Sequence, residues 1–276
     1  MRAVSRHLPD QFEDRYLSGQ LLYGDDLVGD DLAAWFGDEA EGYAMLGPST
    51  LDPAYGYEAL NRRHGFDHLP PGTFHNVLGF GSARGAEFRP LVNRIERLVI
   101  VEPSRQLRST TIGPLSPTYV DPSIDGHLDF ADDSFDLITC FGVLHHVPNV
   151  SAVLGELTRC LSPGGSMLLR EPIISMGDWR YARKPGITRR ERGLPLAWLR
   201  DKVASLGLTI QRETLCDFSL SVRMGRVMGR TAYDDKFLTR LDEIASQLTS
   251  WNSHRYHCTK LWHKVRPRSV FLVLTK

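Results

Sequence analysis

Two adjacent histidines and a glutamate are the groups best equipped for proton chemistry in this chain of 276 residues. His145-His146 follows the apolar run Phe135-Asp136-Leu137-Ile138-Thr139-Cys140, and Glu171 follows the run Ser166-Met167-Leu168-Leu169-Arg170. An imidazole accepts a proton near neutral pH, and a carboxylate at the same edge can orient it or act as a base itself. His146 and Glu171 are the candidates for taking a proton from a hydroxyl or amine, with His145 a neighbour turned inward. A second set is glycine-rich. In Gly79-Phe80-Gly81-Ser82-Ala83-Arg84-Gly85, glycines allow positive φ and let backbone N–H groups approach a ligand closely at a helix start. Glu102 ends the next apolar run, 21 residues after Gly81. In a doubly wound sheet an acid at that point meets the ribose hydroxyls of a nucleoside.

Other clusters carry less. Arg180, Arg183, Lys184, Arg189, Arg190 and Arg192 form a basic stretch suited to an anionic substrate group or to solvent. His254, His257, Cys258 and His263 match no common zinc spacing, so no metal is expected.

These residues need elements to hold them. Asn76–Phe80, Leu98–Val101, Phe135–Cys140 and Ser166–Arg170 are continuous apolar runs, as expected for strands buried on both faces. Helical spacing over Ala86–Arg97 and Val150–Leu161 separates them, and Pro163-Gly164-Gly165 should end the second helix. Alternation of this kind predicts an α/β fold, a doubly wound and mostly parallel sheet. Later come a helix over Leu196–Leu206, a strand over Leu208–Leu215 and a last strand over Ser269–Leu274; these are six strands, of a sheet expected to hold seven. Residues 1–70 are expected to form a helical N-terminal cap, with Leu32, Trp35 and Phe36 on one helix face. Residues 71–276 form the nucleoside-binding domain, with a helical insertion at about 217–267.

The segment from Leu128-Asp129-Phe130 to Ser134-Phe135-Asp136, then Leu144-His145-His146, then Leu161-Ser162-Pro163-Gly164-Gly165, is the most specific pattern. Over residues 74–171 the chain resembles class I S-adenosylmethionine-dependent methyltransferases, in particular the small-molecule branch related to quinone and sugar methyltransferases. Two positions depart from that family's glycine loop: Gly79 stands where an acid is usual, and Ala83 where a glycine is usual. The resemblance implies a Rossmann-like methyltransferase fold with S-adenosyl-L-methionine as cofactor. Gly81, Ser82 and Gly85 would line its methionine end, with Gly79 and Phe141 completing the pocket. Glu102 would hold the ribose, and Asp125 with Gly126 would sit near the adenine. Tyr16, Tyr23 and Trp35 could shield the sulfonium, a cation that favours aromatic faces. His146, Glu171 and His145 would serve transfer of the methyl group to a small-molecule acceptor, with oxygen the expected atom.

Composition is that of an ordinary soluble globular chain: 42% hydrophobic, 24% charged and no net charge. No apolar run is long enough for a membrane span, the first twenty residues lack a signal sequence, and four scattered cysteines suit a reducing cytoplasm. The charge is uneven, with 5 basic against 13 acidic residues over 1–75 and 20 against 9 over 172–276. A small-molecule acceptor is the expected partner, without a membrane; nucleic acid is not favoured, because no motif accompanies the basic third, and a homodimer is open. The rival readings are a nicotinamide-dependent dehydrogenase, a nucleic-acid methyltransferase, and a non-catalytic nucleoside-binding protein that has kept the fold.

Overall fold

The computed structural model describes residues 15–44, 55–177, 188 and 190–276. Seven strands form one sheet: β1 (Phe74–Phe80), β2 (Ile95–Val101), β3 (Thr118–Val120), β4 (Phe135–Phe141), β5 (Leu161–Pro172), β6 (Thr209–Phe218) and β7 (Pro267–Thr275), in the order β3-β2-β1-β4-β5-β7-β6. Strands β1 to β5 pair in parallel, while β7 runs antiparallel to both β5 and β6. The helices are α1 (Gly29–Ala44), α2 (Glu58–His64), α3 (Val150–Cys160), α4 (Leu196–Ser205), α5 (Ser221–Val227) and α6 (Lys236–Leu248).

The central strands are buried on both faces because each face carries its own core. Leu78, Phe80, Ile138, Cys140 and Leu169 meet the stripe Val150, Val153, Leu154, Leu157 of α3 on one side. Val77, Leu137, Phe141, Leu168 and Phe271 pack with Leu60 and Phe88 on the other. Fully burying such a side chain stabilises the fold by roughly 1.5–3 kcal/mol.

Three local expectations fail for identifiable reasons. Ala86–Arg94 is a 3-10 helix containing Pro90, and the residues read as its last turn open β2 at Ile95 instead. Helical spacing alone could not register a proline that denies the α-helical hydrogen bond. Pro163-Gly164-Gly165 lies inside β5, because Leu161 already pairs with Phe135 and the Gly164 N–H donates to the Lys276 carbonyl at 3.0 Å. Strand β3 escaped notice because it is three residues long.

The sheet positions a site at one place. Chain order reverses between β1, which adjoins β2, and β4, which begins the other half. In doubly wound sheets ligands bind beyond the carboxyl ends of the strands at this reversal. Helix α1 covers that edge. Trp35 is fully buried and its Nε1 donates to the His146 carbonyl at 2.8 Å, so a residue of the first helix is anchored to the loop after β4. The basic stretch is described only at Arg190, paired with Asp38 at 2.5 Å, and at the buried Arg192; Arg180, Arg183, Lys184 and Arg189 lie outside the described residues. No described helix is long and apolar enough to cross a membrane.

Candidate active site

The loop after β1 is a tight cradle. Gly81 has φ +69°, and a Cβ there would come within 2.5 Å of the methyls of Val143, on the loop after β4. Gly85 has φ +68°, and its Cβ would overlap Ile112. Gly79 faces inward, where a Cβ would overlap the Ser82 hydroxyl and lie 2.9 Å from Phe88. An acidic side chain at position 79 would not fit this packing. The carboxylate of Glu87 lies behind the loop instead, fully buried, accepting from Ser82 Oγ at 3.0 Å and Thr139 Oγ1 at 2.6 Å. Burial raises the pKa of Glu87, against those two hydrogen bonds. Ala83 occupies the left-handed region at φ +45°. Its N–H donates to Glu102 Oε2 at 3.1 Å, and Tyr119 donates to its carbonyl at 2.9 Å.

Glu102 is buried at the end of β2, with its other oxygen accepting from the Ser104 N–H at 2.9 Å. Burial pushes its pKa up, while the two backbone donors and Arg108 hold it down. A carboxylate has about four acceptor positions, so two remain for ribose hydroxyls. Asp125 stands apart, exposed on the turn between β3 and β4. Its carboxylate accepts from Ser123 and from the His127 N–H, which lower its pKa. Its carbonyl accepts from Asn149 Nδ2 at 2.5 Å, at the start of α3. Gly126 has φ +85°, and a Cβ would stand 2.8 Å from Val153.

Beyond β4 the structure gathers the proton-handling residues. Glu171 is fully buried. One of its oxygens accepts from the Val143 and Leu144 N–H groups, both at 2.8 Å, and the other from the His145 N–H at 3.3 Å and His145 Nδ1 at 2.8 Å. That carboxylate shapes the loop from within. Burial, and then His146 beside it, lowers the pKa of His145, while the hydrogen bond to Glu171 opposes the shift. His146 Nδ1 lies 2.9 Å from Glu39 Oε2 of α1, and the two imidazoles are 4.0 Å apart. Glu191 Oε1 lies 3.7 Å from His145 Nε2. Arg192 is wholly buried and donates to the carbonyls of Tyr23, Leu144, His145 and Pro148. Burial brings its pKa down to about 10.

On the opposite face, Arg170 Nη1 donates to Asn61 at 3.1 Å, and its guanidinium sits 4.0 Å from the Tyr57 ring and 5.5 Å from Phe141. Tyr57 in turn stacks on Tyr233 at 5.4 Å. Tyr55 pairs with Asn61, and burial followed by the nearby Glu87 raises its phenol pKa. Gly142 lies between the two faces, where a Cβ would meet His145 at 3.7 Å and Arg170 at 3.9 Å. So Gly79, Gly81, Ser82, Gly85 and Glu102 form one cradle, His145, His146 and Glu171 form a neighbouring cluster, and Asp125 stands apart beside the start of α3. Phe141 belongs to the aromatic face. Tyr16, Tyr23 and Trp35 do gather, with Tyr16–Tyr23 and Tyr23–Trp35 ring centroids 5.4 and 5.3 Å apart. Arg190 and Arg192, not an open cleft, lie over the Trp35 ring.

Sequence reading missed Glu39, Glu87, Arg170, Glu191 and the Tyr55–Tyr57–Asn61 group. Arg170 carried a signal, since it is a charge inside an apolar strand. Glu87 lies two residues after Gly85 and Glu191 lies within the basic stretch, but neither has a pattern of its own, and Glu39 and the Tyr55–Tyr57–Asn61 group lie far from any motif.

Residues 78–169 match the family model described as "Methyltransferase domain". The chain carries a class I S-adenosylmethionine-dependent methyltransferase domain. A 2-methyl-6-phytyl-1,4-hydroquinone methyltransferase from Synechocystis is 30% identical over 144 residues, covering 50% of this chain and 40% of that protein. A tRNA U34 carboxymethyltransferase from Nautilia profundicola is 42% identical over 59 residues, covering 21% of this chain and 19% of that protein. The chain thus spans well under half the length of these curated relatives. Among solved structures, an S-adenosylmethionine-dependent methyltransferase from Mesorhizobium loti superposes with TM-score 0.53 at 18% identity, over 82% of this chain and all of that one. A similar fold, TM-score 0.56 at 12% identity, occurs in a methyltransferase from Leishmania major, over 91% of this chain and 88% of that one. S-adenosylmethionine is the cofactor of this domain family, and the cradle fits it. Glu102 accepts two backbone N–H groups and retains acceptor capacity toward a diol.

Proposed function

We propose that this protein transfers a methyl group from S-adenosylmethionine to a small-molecule acceptor, at oxygen. The observation that carries the reading is the contact of Gly81 with Val143. It joins the nucleoside cradle of β1 and β2 to the loop that presents His145 and His146, so cofactor and acceptor positions share a wall. When bound, the cofactor supplies a methyl group on a sulfonium with a good leaving group, so the protein's task is alignment.

Glu102 binds the ribose, Gly81, Ser82 and Gly85 receive the methionine end, and Asp125 with Gly126 borders the adenine. Glu171 is a positioning residue: it accepts three backbone N–H groups and orients His145. His145 and His146 form one wall of the acceptor pocket. The other wall is Arg170 with Tyr57 and Phe141, a cation among aromatic rings that suits a hydroxylated ring or an acceptor bearing an anionic group. The relative named as a hydroquinone methyltransferase supports an acceptor of this kind. Helix α1 and the segment over 217–267 close the pocket, since α1 is fixed to the His146 loop and Tyr233 stacks on Tyr57.

Calorimetric titration with S-adenosylmethionine and S-adenosylhomocysteine, followed by labelled-methyl transfer to a panel of phenols, hydroquinones and sugars, tests the reading. Binding with transfer to a hydroxyl is expected. Binding without transfer to any acceptor would favour a nucleoside-binding protein, and no binding would overturn the proposal.

A further inference from the structure

Helix α6 carries its side chains in the reverse of the order usual for a helix facing water. Turned inward are Leu238, Thr239, Asp242, Glu243 and Ser246, four of them polar. Turned outward are Phe237, Ile244 and Leu248, at 55%, 44% and 73% exposure, with Leu241 half-buried between them. The interval 237, 241, 244, 248 is one face of an α-helix. Both acids of α6 are held inside. Asp242 accepts from the Phe218 N–H at 2.7 Å and from Ser221 Oγ at 2.6 Å, and Glu243 pairs with Arg63 at 2.5 Å. Helix α5 continues the pattern: Leu220, Met224, Val227 and Met228 stand at i, i+4, i+7 and i+8, all of them exposed, Val227 at 88%. Met224 lines one groove of about 230 Å³ with Leu241, Ile244 and Leu248.

Apolar surface that runs on over two helices marks a docking face, and the charges around it select the occupant. Over residues 218–250 the exposed charged side chains are Arg223, Arg226, Arg230, Lys236 and Arg240 against Asp234 alone. A second copy of this face would set cation against cation, which disfavours a symmetric dimer through it. Nucleic acid is met by cations with polar and stacking groups rather than by valine, methionine, leucine and isoleucine. Cations interleaved with aliphatic side chains suit a surface that is anionic at its headgroups and hydrocarbon beneath.

We propose that α5 and α6 dock on an anionic lipid surface, the aliphatic stripes entering the acyl boundary and the cations meeting the headgroups. The docking is peripheral. Each stripe is one face of its helix, and α6, at 13 residues, is about 20 Å long against the roughly 30 Å of a hydrocarbon core. Trp251, less than one turn's length beyond Leu248, is exposed and stacks with the exposed Trp262 at 6.5 Å. Indoles favour the depth between headgroups and hydrocarbon, so the pair extends the face in the chemistry it already has.

Docking is measured without S-adenosylmethionine or an acceptor, so its outcome is separate from that of the methyl-transfer reading. The full chain is sedimented with vesicles of phosphatidylcholine alone and of phosphatidylcholine mixed with phosphatidylglycerol. Partition onto the mixed vesicles should exceed that onto the neutral ones by about tenfold or more, and should fall steeply in about 1 M salt. Arg223→Gln and Arg226→Gln should each weaken it by roughly fivefold. Val227→Ser combined with Phe237→Ser should weaken it by about tenfold or more at unchanged net charge. These positions are exposed, so the variants should keep the parent's melting temperature. Lys202→Gln on α4, whose Leu199 packs in the core on the other face of the sheet, should leave partition nearly unchanged. No preference for the mixed vesicles, or parent-like partition in the Val227→Ser, Phe237→Ser variant, would overturn the proposal. Self-association abolished by that variant, without vesicle binding, would overturn it in favour of a second copy, and RNA binding without vesicle binding in favour of nucleic acid.

Discussion

Arg170 and Glu171 are consecutive on β5 and leave the sheet on opposite faces. Arg170 reaches Asn61 and the Tyr57 ring, while Glu171 reaches the His145 imidazole and three backbone N–H groups. The alternation of a strand thus sends the side chains of one dipeptide to the aromatic group on one face and to the histidine loop on the other. The two residues have different consequences when changed, because one is a partly accessible cation and the other is an interior anchor.

Glu102 is expected to dominate cofactor affinity. Glu102→Ala removes charge-assisted hydrogen bonds to the ribose and also releases the Ala83 and Ser104 N–H groups. Hydrogen bonds to a charged group contribute about 1.5–3 kcal/mol, so Kd for S-adenosylmethionine should rise by roughly tenfold to more than a hundredfold. An unchanged Kd by calorimetry would remove Glu102 from the ribose site.

Gly81→Ala should be harmful twice over. The backbone at φ +69° strains any side chain, and the new methyl collides with Val143. Each cost is of order 1–3 kcal/mol. Adding Val143→Ala removes the colliding methyls, so the double variant should recover part of the melting temperature and part of the cofactor affinity. A double variant no better than Gly81→Ala would assign the whole effect to backbone strain.

His64 should make the fold acid-sensitive. It is fully buried, neither ring nitrogen has a hydrogen-bond partner among the described residues, and burial lowers its pKa to about 4. Glu243 opposes that shift, while Arg63, Arg212 and His68 reinforce it. The unfolded chain takes up this proton near pH 6.5 and the folded chain only near 4, so stability is full above 6.5 and declines as pH falls toward 4. By pH 5 the loss should be on the order of 2 kcal/mol. Urea unfolding at pH 7.5 and 5.0 would reveal it, and His64→Phe, which keeps a ring beside Phe271, should flatten the difference. An equally steep decline in that variant would place the acid sensitivity elsewhere.

Asp25 fastens the N-terminal segment to the catalytic domain. Its carboxylate accepts from the Ser151 N–H and hydroxyl, both at 2.6 Å, in the first turn of α3. An anion there satisfies an orphan donor and meets the positive end of the helix dipole. Asp25→Ala should cost about 1–2 kcal/mol, measured by urea unfolding. Coupling to Ser151→Ala in a double-mutant cycle would assign the loss to this contact; full additivity would not.

Apolar runs of four to six residues separated by amphipathic stretches determined the parallel sheet, because two-sided burial demands continuous hydrophobicity along a strand. The spacing from Gly81 to Glu102 likewise predicted that the glycine loop and this acid stand together, and the Ala83 N–H donates to Glu102, since both ends of that unit are local in sequence. Tertiary structure alone decided the rest. The 3-10 form of Ala86–Arg94 and the inclusion of Pro163-Gly164-Gly165 in β5 follow from a proline and from partners more than twenty residues away. Whether Glu171 faces substrate or core depends on the loop that folds over it, and its acceptor capacity is taken up by Val143, Leu144 and His145. Glu39 and Glu191 reach the two histidines only because Trp35 and Arg192 anchor α1 and the loop after β5 to the backbone around His145 and His146. Short-range pattern encodes the elements and the motifs within them. Long-range packing brings charges from three distant segments into one buried cluster, and no local spacing specifies that.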